Sequence, residues 1–407
     1  MALEIRTISG EEMEQAEMIS LQAFASSDRN NPASAIERTK RFFQPDWHLA
    51  SFEDGEMTSM MRMLPFAMRI NGRSLPFAAV GPVANSPLHR RRGHTGAMLR
   101  RSLEVMRERG QWLSGLYTPH PAFYRRYGWD IAADERIYSF KPKDCRLTAE
   151  PSQRGRLRWI KPDAWHELDA IYRRHSADRN GPLHRGEVWW RNSILAEAAT
   201  PPAAPCDAVI WESDAGAPEG YVVFIMPIQG PDAGKVVSLQ FAALTADAYL
   251  NLTTFLGRHD IHNEIKLFRP SDDPLPLLFE DTDRLEIRQG YTALLRIVDV
   301  EAALKTRPAA RRDIEAEFSV EVRDQCASWN EGVFRLTTKD GSVEVERTSG
   351  DADLSIEARV LAPIFNGYLT PSAAAATGQV RVQNVEALAQ ADDFFAVGHR
   401  PYFPDRF

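Results

Sequence analysis

The chain has 407 residues, with 49 Lys and Arg against 56 Asp and Glu, a formal charge of -7 with histidine neutral. At 43% hydrophobic and 26% charged it has the make-up of folded globular proteins, which excludes collagen-like, low-complexity and disordered classes. The acidity also speaks against a general nucleic-acid binder, whose phosphate contacts favour a basic chain. Length suggests two or three domains of roughly 150 residues each. The longest apolar run, 221–226, is far short of the roughly 20 residues that a membrane span needs. The first twenty residues carry Glu11, Glu12, Glu14 and Glu17 and lack a signal-peptide pattern, so a cytoplasmic protein with no membrane association is expected. Cys145, Cys206 and Cys326 lie too far apart for a disulfide framework or a zinc site, and no metal is expected.

Up to about residue 40, acidic and apolar residues alternate at helical spacing, and Met13, Ala16, Ile19, Ser20 and Leu21 can share one face. The period then changes. A strand is predicted at 47–52, a turn at Asp54-Gly55, a second strand from Met57, a turn at Asn71-Gly72 and a third strand at 75–84. A loop at 85–92 leads to an amphipathic helix over 93–109, with Leu99, Leu103 and Met106 as its apolar stripe and Gly110 as its stop. A short strand at 113–117 and a brief helix at 122–126 follow, ending at Tyr127-Gly128-Trp129.

The middle third, from about Lys141, repeats this rhythm. Strands at 208–211 and 220–226 precede a strand at 236–244 and a helix at 246–256. The connecting residues are Ala242-Ala243-Leu244-Thr245, without glycine or cation, so an anion site there would be degenerate. After Arg296 come a short helix at 298–304, strands at 318–322, 332–338 and 342–348, helices at 360–366 and 372–376, a strand at 380–382 and a helix at 388–395. An irregular tail ends in Asp405-Arg406-Phe407.

The chemistry concentrates in Val83-Ala84-Asn85-Ser86-Pro87-Leu88-His89-Arg90-Arg91-Arg92-Gly93-His94-Thr95-Gly96. A strand ends, the backbone turns, and a helix starts with its first amides unpaired. Those N–H groups, the helix dipole and the arginine forks make a site for a compact polyphosphate or phosphoanhydride. No Gly-Lys-Ser/Thr follows and no Gly-x-Gly is present, so neither a P-loop nor a dinucleotide fingerprint is involved.

This stretch resembles the acetyl-CoA loop of the GNAT acetyltransferases, in which Arg/Gln-x-x-Gly-x-Gly/Ala wraps the coenzyme A pyrophosphate. Thr95 stands where glycine or alanine is usual, and Gly96 comes one residue later. Phe123-Tyr124-Arg125-Arg126-Tyr127-Gly128-Trp129 is similar to the segment that sits beside the thioester in that superfamily. The resemblance makes Tyr124 the proton donor to the departing thiolate. It also gives cofactor contacts to Val83, Ala84, Asn85, Arg91, Arg92, Gly93, His94, Thr95, Gly96, Pro119 and His120.

Over its whole length the chain looks like the Eis-type (enhanced intracellular survival) N-acetyltransferases. Asp353-Leu354-Ser355-Ile356, Phe365-Asn366-Gly367 and Gly378-Gln379-Val380 resemble the sterol-carrier-protein-like domain at their C-terminal end. The implied fold is mixed α/β (α+β): tandem GNAT-like domains, catalytic over 1–140 and degenerate over 141–296, then a sterol-carrier-protein-like α+β domain over 297–407. The resemblance further implies that the free carboxylate of Phe407 is the general base, and that the chain forms a homohexamer, a dimer of trimers. The expected reaction is direct transfer, in a ternary complex, from acetyl-CoA to an amine of a cationic small molecule such as an aminoglycoside or polyamine. Phe24, Asp28, Trp47 and Asp405 are candidates for the acceptor pocket. The alternatives are a protein or peptide lysine acetyltransferase and a non-catalytic lipid-binding protein.

Overall fold

A computed structural model of the chain describes residues 3–24, 30–40, 44–152, 154–196, 204–309, 311 and 313–407. The chain divides into two compact units. One gathers Met1–Ala133, Arg179–Leu183 and Thr292–Phe407; the other gathers Asp134–Asp178 and His184–Tyr291.

The first unit opens with β1 (Leu3–Thr7), α1 (Met13–Ala23), α2 (Pro32–Lys40), β2 (His48–Glu53), β3 (Glu56–Ile70) and β4 (Arg73–Asn85). Then come α3 (His94–Glu108), β5 (Leu113–Tyr117) and the short α4 (Pro121–Arg125). The helical stretch expected before residue 40 is thus two helices, and β1, absent from the sequence expectation, pairs antiparallel with β2. Both hairpin turns take the left-handed backbone that their sequences favour: φ is 50° at Asp54 and 86° at Gly55, 45° at Asn71 and 76° at Gly72. Under α3, Leu99, Leu103 and Met106 are buried together with Met61, Met63, Ala78 and Val80 of the sheet.

Two irregularities in this sheet create the site. The β3–β4 register runs Met63↔Val80 and then Met61↔Val83, so Gly81-Pro82 bulges opposite the single residue Arg62. The parallel β4–β5 pairing covers only Phe77–Ala79 against Leu113–Gly115. From Val80 to Asn85 the strand keeps β3 on one side and has left β5 on the other.

The second unit contains β6 (Asp130–Phe140) from Asp134 onward, β7 (Arg156–Trp159), α5 (Trp165–His175), α6 (Glu187–Trp189), β8 (Cys206–Glu212), β9 (Pro218–Ile225), β10 (Lys235–Ala243), α7 (Ala246–Gly257), β11 (Glu264–Pro270) and α8 (Leu275–Leu278). Its strands follow the order β6-β11-β10-β9-β8-β7. As in the first unit, the parallel pairing of β10 with β11 is short, Lys235–Ser238 against Glu264–Leu267, and β10 carries a register shift at Ser238/Gln240.

The chain returns through β12 (Glu286–Ile297), whose last five residues lie antiparallel to β5. Next come α9 (Val300–Thr306), β13 (Ala316–Arg323), β14 (Gly332–Lys339), β15 (Ser342–Thr348), β16 (Leu354–Glu357), α10 (Ala358–Asn366), α11 (Pro371–Ala376), β17 (Val380–Val382) and α12 (Val385–Phe395). The C-terminal sheet has the order β15-β14-β13-β16-β17. Helix α12 begins three residues before the expected position because the Asn384 side chain caps it, accepting from Glu386 N and Ala387 N. Arg307, fully buried, donates to Phe365 O at 2.8 Å, Phe394 O at 2.8 Å and Phe395 O at 3.1 Å, carbonyls at the ends of α10 and α12. A cation there meets the negative ends of two helix dipoles and satisfies carbonyls that lack intrahelical partners. Among the described residues no helix is long and apolar enough to cross a membrane.

Burial holds the His48 imidazole down at about 4, and the Arg62 guanidinium, its cross-strand partner, adds to this. A pKa depressed in the folded state gives stability that is present above about 6.5 and is lost as pH falls through 4. Urea unfolding is therefore expected to lose on the order of 3 kcal/mol through this residue between pH 6.5 and 4. His48→Gln should flatten that part of the profile; an unchanged slope refutes the assignment.

Candidate active site

The end of β4 is stapled to the first turn of α3: Asn85 Nδ2 donates to Thr95 Oγ1 at 3.1 Å. Thr95, at the position where glycine or alanine was expected, thus has an acceptor's role in closing the loop. Between them the backbone is left-handed at Arg91 (φ 66°) and Gly93 (φ 87°). Gly93 is the N-cap of α3 and offers no side chain to the helix amides. The first helical bond runs from Ala97 N to Gly93 O, so the amides of His94, Thr95 and Gly96 begin the helix without an intrahelical acceptor. Arg90 and Arg91 are exposed and have no carboxylate partner among the described residues, whereas Arg92 pairs with Glu53 at 2.8 Å. His94 is buried, with Nδ1 unpartnered and Nε2 at 3.7 Å from Glu53. The loop therefore offers an N-terminal helix end, two exposed cations and the open edge of β4 at Val83, Ala84 and Asn85, a combination that suits a pyrophosphate followed by an extended amide chain.

Gly96 has a second role. A Cβ there would overlap Tyr127 Oη, so the first turn of α3 lies directly under that ring. Tyr127 packs in the core under α3.

Tyr124 sits on α4, with its ring edge-on to Phe123 at 5.1 Å and to Trp129 at 6.4 Å. Like Val83, it packs against the core under α3. Burial pushes its phenol up to about 12, so it holds its proton throughout the neutral range. Gly128, left-handed at φ 89°, is required because the Arg296 guanidinium occupies the space where a Cβ would stand. Arg296 is itself fully buried and ion-paired with Asp324 of the C-terminal module. Pro119 and His120 are exposed in the loop between β5 and α4.

The C-terminus lies at the β4 bulge. A methyl built on Gly81 would be 3.1 Å from the terminal oxygen of Phe407. The Phe407 ring packs edge-on to Phe77 at 6.2 Å and lies 5.4 Å from Tyr117, centroid to centroid. Tyr117 Oη donates to Phe403 O at 2.8 Å, and the Arg406 guanidinium stands 4.8 Å above the Tyr117 ring. Behind the bulge, half-buried Arg62 donates from Nε to Gly81 O at 2.9 Å. Gly81, Arg62, Phe77 and Tyr117 escaped sequence reasoning; the Gly-Pro pair inside a strand was the available signal, since such pairs mark bulges.

Of the acceptor candidates, Phe24 is 55% exposed and Trp47 is half-buried. Asp28 lies outside the described residues. Asp405 is only 1% exposed, and its Oδ2 accepts from Leu183 N at 3.3 Å; the carboxylate faces the protein interior.

In the second unit the equivalent helix start is already satisfied. The Thr245 side chain caps α7, accepting from Ala248 N at 3.2 Å, and its hydroxyl donates to Glu219 Oε2 at 2.9 Å. Where β10 and β11 part, the buried Arg269 guanidinium stacks 3.3 Å above the Phe241 ring. The helix start of this copy thus carries a carboxylate, and its split holds a guanidinium.

Gly96→Ala is expected to displace Tyr127, weaken acetyl-CoA binding by about tenfold and destabilise the protein by about 1–3 kcal/mol. Adding Tyr127→Phe, which removes the overlapping oxygen, should restore part of both losses in calorimetry. Additive losses would refute the contact.

Residues 4–132 and 181–297 match families described as acetyltransferase (GNAT) domains, and residues 300–404 match a sterol carrier protein domain. An uncharacterized N-acetyltransferase of Streptomyces avermitilis is 31% identical over 84% of this chain and 85% of its own length. N-acetyltransferase Eis of Mycobacterium tuberculosis is 27% identical over 84% and 83%, respectively. Among solved structures, Eis1 from Mycobacterium abscessus superposes with a TM-score of 0.82 at 26% identity, covering 99% of this chain and 100% of that one. A GCN5-related N-acetyltransferase from Anabaena variabilis shares the fold, with a TM-score of 0.89 at 22% identity over the full length of both chains. With two acetyltransferase folds followed by a sterol carrier domain, the chain belongs to the Eis-type GNAT N-acetyltransferase family, enzymes that use acetyl-CoA to acetylate an amine.

Proposed function

We propose that this enzyme transfers acetyl directly from acetyl-CoA to an amine of a cationic small molecule, of aminoglycoside or polyamine character. In this reading the Phe407 carboxylate is the proton acceptor and Tyr124 the proton donor. The observation that carries the proposal is the terminal oxygen of Phe407 beside Gly81, at the point where β4 leaves β5. An α-carboxylate with an ordinary pKa near 3.5 is a weak base. The Phe407 ring packs against Phe77 and Tyr117, and in this reading the carboxylate is strengthened when bound substrate desolvates it, or acts through a single water.

The division of labour follows the domains: residues 1–140 catalytic, 141–296 a degenerate copy, 297–407 the module that delivers the base. The amides of His94 to Gly96 and the Arg91 side chain hold the pyrophosphate. Val83, Ala84 and Asn85 align the pantetheine along the strand edge, with Arg92, Gly93, Pro119 and His120 completing the cofactor contacts. A backbone N–H near Val83 stabilises the oxyanion. Tyr124 keeps its proton until sulfur leaves. A phenol near 12 is a poor acid toward an ordinary thiolate near 8.5. The same desolvation makes the leaving thiolate more basic, which narrows the gap and makes strong hydrogen bonding or transfer feasible. Phe24 and Trp47 face the acceptor in this reading, and the overall charge of -7 favours a cation. We further propose a cytoplasmic homohexamer; light scattering tests the subunit number.

Thiol release with a panel of amines tests the substrate class: turnover with polyamines or aminoglycosides is expected. Acetylation of lysate proteins alone would replace this reading with a protein acetyltransferase, and no turnover combined with fatty-ligand binding would replace it with a carrier. Tyr124→Phe is expected to lower kcat by about 100-fold with acetyl-CoA affinity unchanged. Because its phenol stays protonated to about 12, the donor should produce no alkaline fall in kcat below pH 10. Appending glycines after Phe407 should abolish turnover; full activity would remove Phe407 from the mechanism.

A further inference from the structure

The twelve residues after α12 contain no helix or strand. Left free, a coil of that length would spread its end over roughly 20 Å, far too loosely for a base that must meet one amine. The tail is held from an unexpected source. Arg179–Leu183 is the only stretch between residues 134 and 291 that belongs to the first unit. It lies along the end of β3: Gly181 N donates to Arg69 O and Arg69 N to Pro182 O, both at 3.0 Å, and Leu183 bridges to Met68.

Every residue of this stretch but Pro182 also meets the tail. Arg179 Nη1 donates to Arg400 O at 2.7 Å, Asn180 O accepts from Tyr402 N at 3.0 Å, and Leu183 N donates to Asp405 Oδ2 at 3.3 Å. Gly181, left-handed at φ 111°, touches Phe403 and Tyr402 so closely that a Cβ would overlap both.

Asn180 is the centre of this arrangement. It is 1% exposed. Its Oδ1 accepts from Asn71 N at 2.6 Å, in the β3–β4 turn, and its Nδ2 donates to Asn366 O at 3.0 Å, at the end of α10. Asn366 is anchored in turn by its Nδ2 bond to Ala132 O at 2.8 Å. One side chain thus accepts from the hairpin that leads into the bulged strand and donates to the module from which the tail departs, while its own carbonyl holds the tail. An amide supplies the two functions on two separate atoms, Oδ1 and Nδ2.

We infer that Asn180 is a positioning residue for the C-terminal carboxylate, acting through the Arg179–Leu183 clamp on residues 400–405. The inference rests on the reading of Phe407 as the base. Past Asp405 two residues remain, about 7 Å of chain, so the clamp fixes where the carboxylate can reach.

The test compares full-length wild type with Asn180→Ala. Expected are a kcat about tenfold lower at unchanged KM for acetyl-CoA, a broadened or shifted acid limb in the kcat profile, and faster release of the terminal phenylalanine by carboxypeptidase A. Wild-type kcat with wild-type resistance to digestion overturns the inference. So does a parallel loss of acetyl-CoA affinity, which marks a residue that merely supports the fold. If Asn180→Ala does not fold, Gly181→Ala, which pushes Phe403 off the clamp, is read by the same assays with the same criteria. The glycine-extended chain separates the two readings. If it is fully active, Phe407 is not the base, while the digestion rate of Asn180→Ala still reports whether the clamp holds the tail.

Discussion

The site depends on one backbone event, the departure of β4 from β5 after Ala79. The bulge at Gly81-Pro82 drives it, because two residues facing one add twist and break the ladder. Arg62, the single residue opposite, bonds the Gly81 carbonyl and holds the bulge from the buried side. Three things follow from the split. A strand edge stands open for an extended amide chain. The start of α3 is delivered at the end of that edge with its first amides free of intrahelical bonds. The gap beside Gly81 is wide enough to admit the end of the same chain.

The C-terminal module is part of this machinery through buried charge. Removing one partner of a buried ion pair costs several kcal/mol, so such pairs fix geometry once formed. Arg296 reaches Asp324 in the module while lying under Gly128, directly beside the aromatic segment that carries Tyr124. Arg307 ties the ends of α10 and α12 together, and α12 is the last helix before the tail. The Tyr124 segment and the terminal carboxylate are thus both referenced to the same module, from distant parts of the sequence.

The two acetyltransferase folds share a backbone plan and differ in the side chains at the helix start. Both have a short parallel pairing, a shifted register in the preceding strand and a helix that begins where the strand ends. In the first, the N-cap is glycine and nearby arginines remain exposed. In the second, Thr245 caps its own helix, Glu219 supplies the negative charge, and Arg269 with Phe241 fills the split.

What the sequence determined by itself is local. Asn71-Gly72 and Asp54-Gly55 impose their turns, and Gly93 starts α3 where the loop must curl. The stripe of Leu99, Leu103 and Met106 buries one face of that helix, because positive φ and amphipathic period are properties of a few neighbouring residues. The Tyr124 segment was singled out differently, by its resemblance to the segment beside the thioester in GNAT acetyltransferases. The short edge strand β1, the alternating strand β6 and the helix α5 were not legible, since their stability comes from the surfaces they join rather than from their own pattern. Nor could composition reveal that Asp405 turns inward or that Asn180 grips the tail. Tyr117 and Phe403 are 286 residues apart when they share a hydrogen bond, and no spacing rule spans that distance. Such contacts exist only after the sheet has opened and the tail has been laid into it, because burial and long-range geometry belong to the packed chain and not to any segment of it.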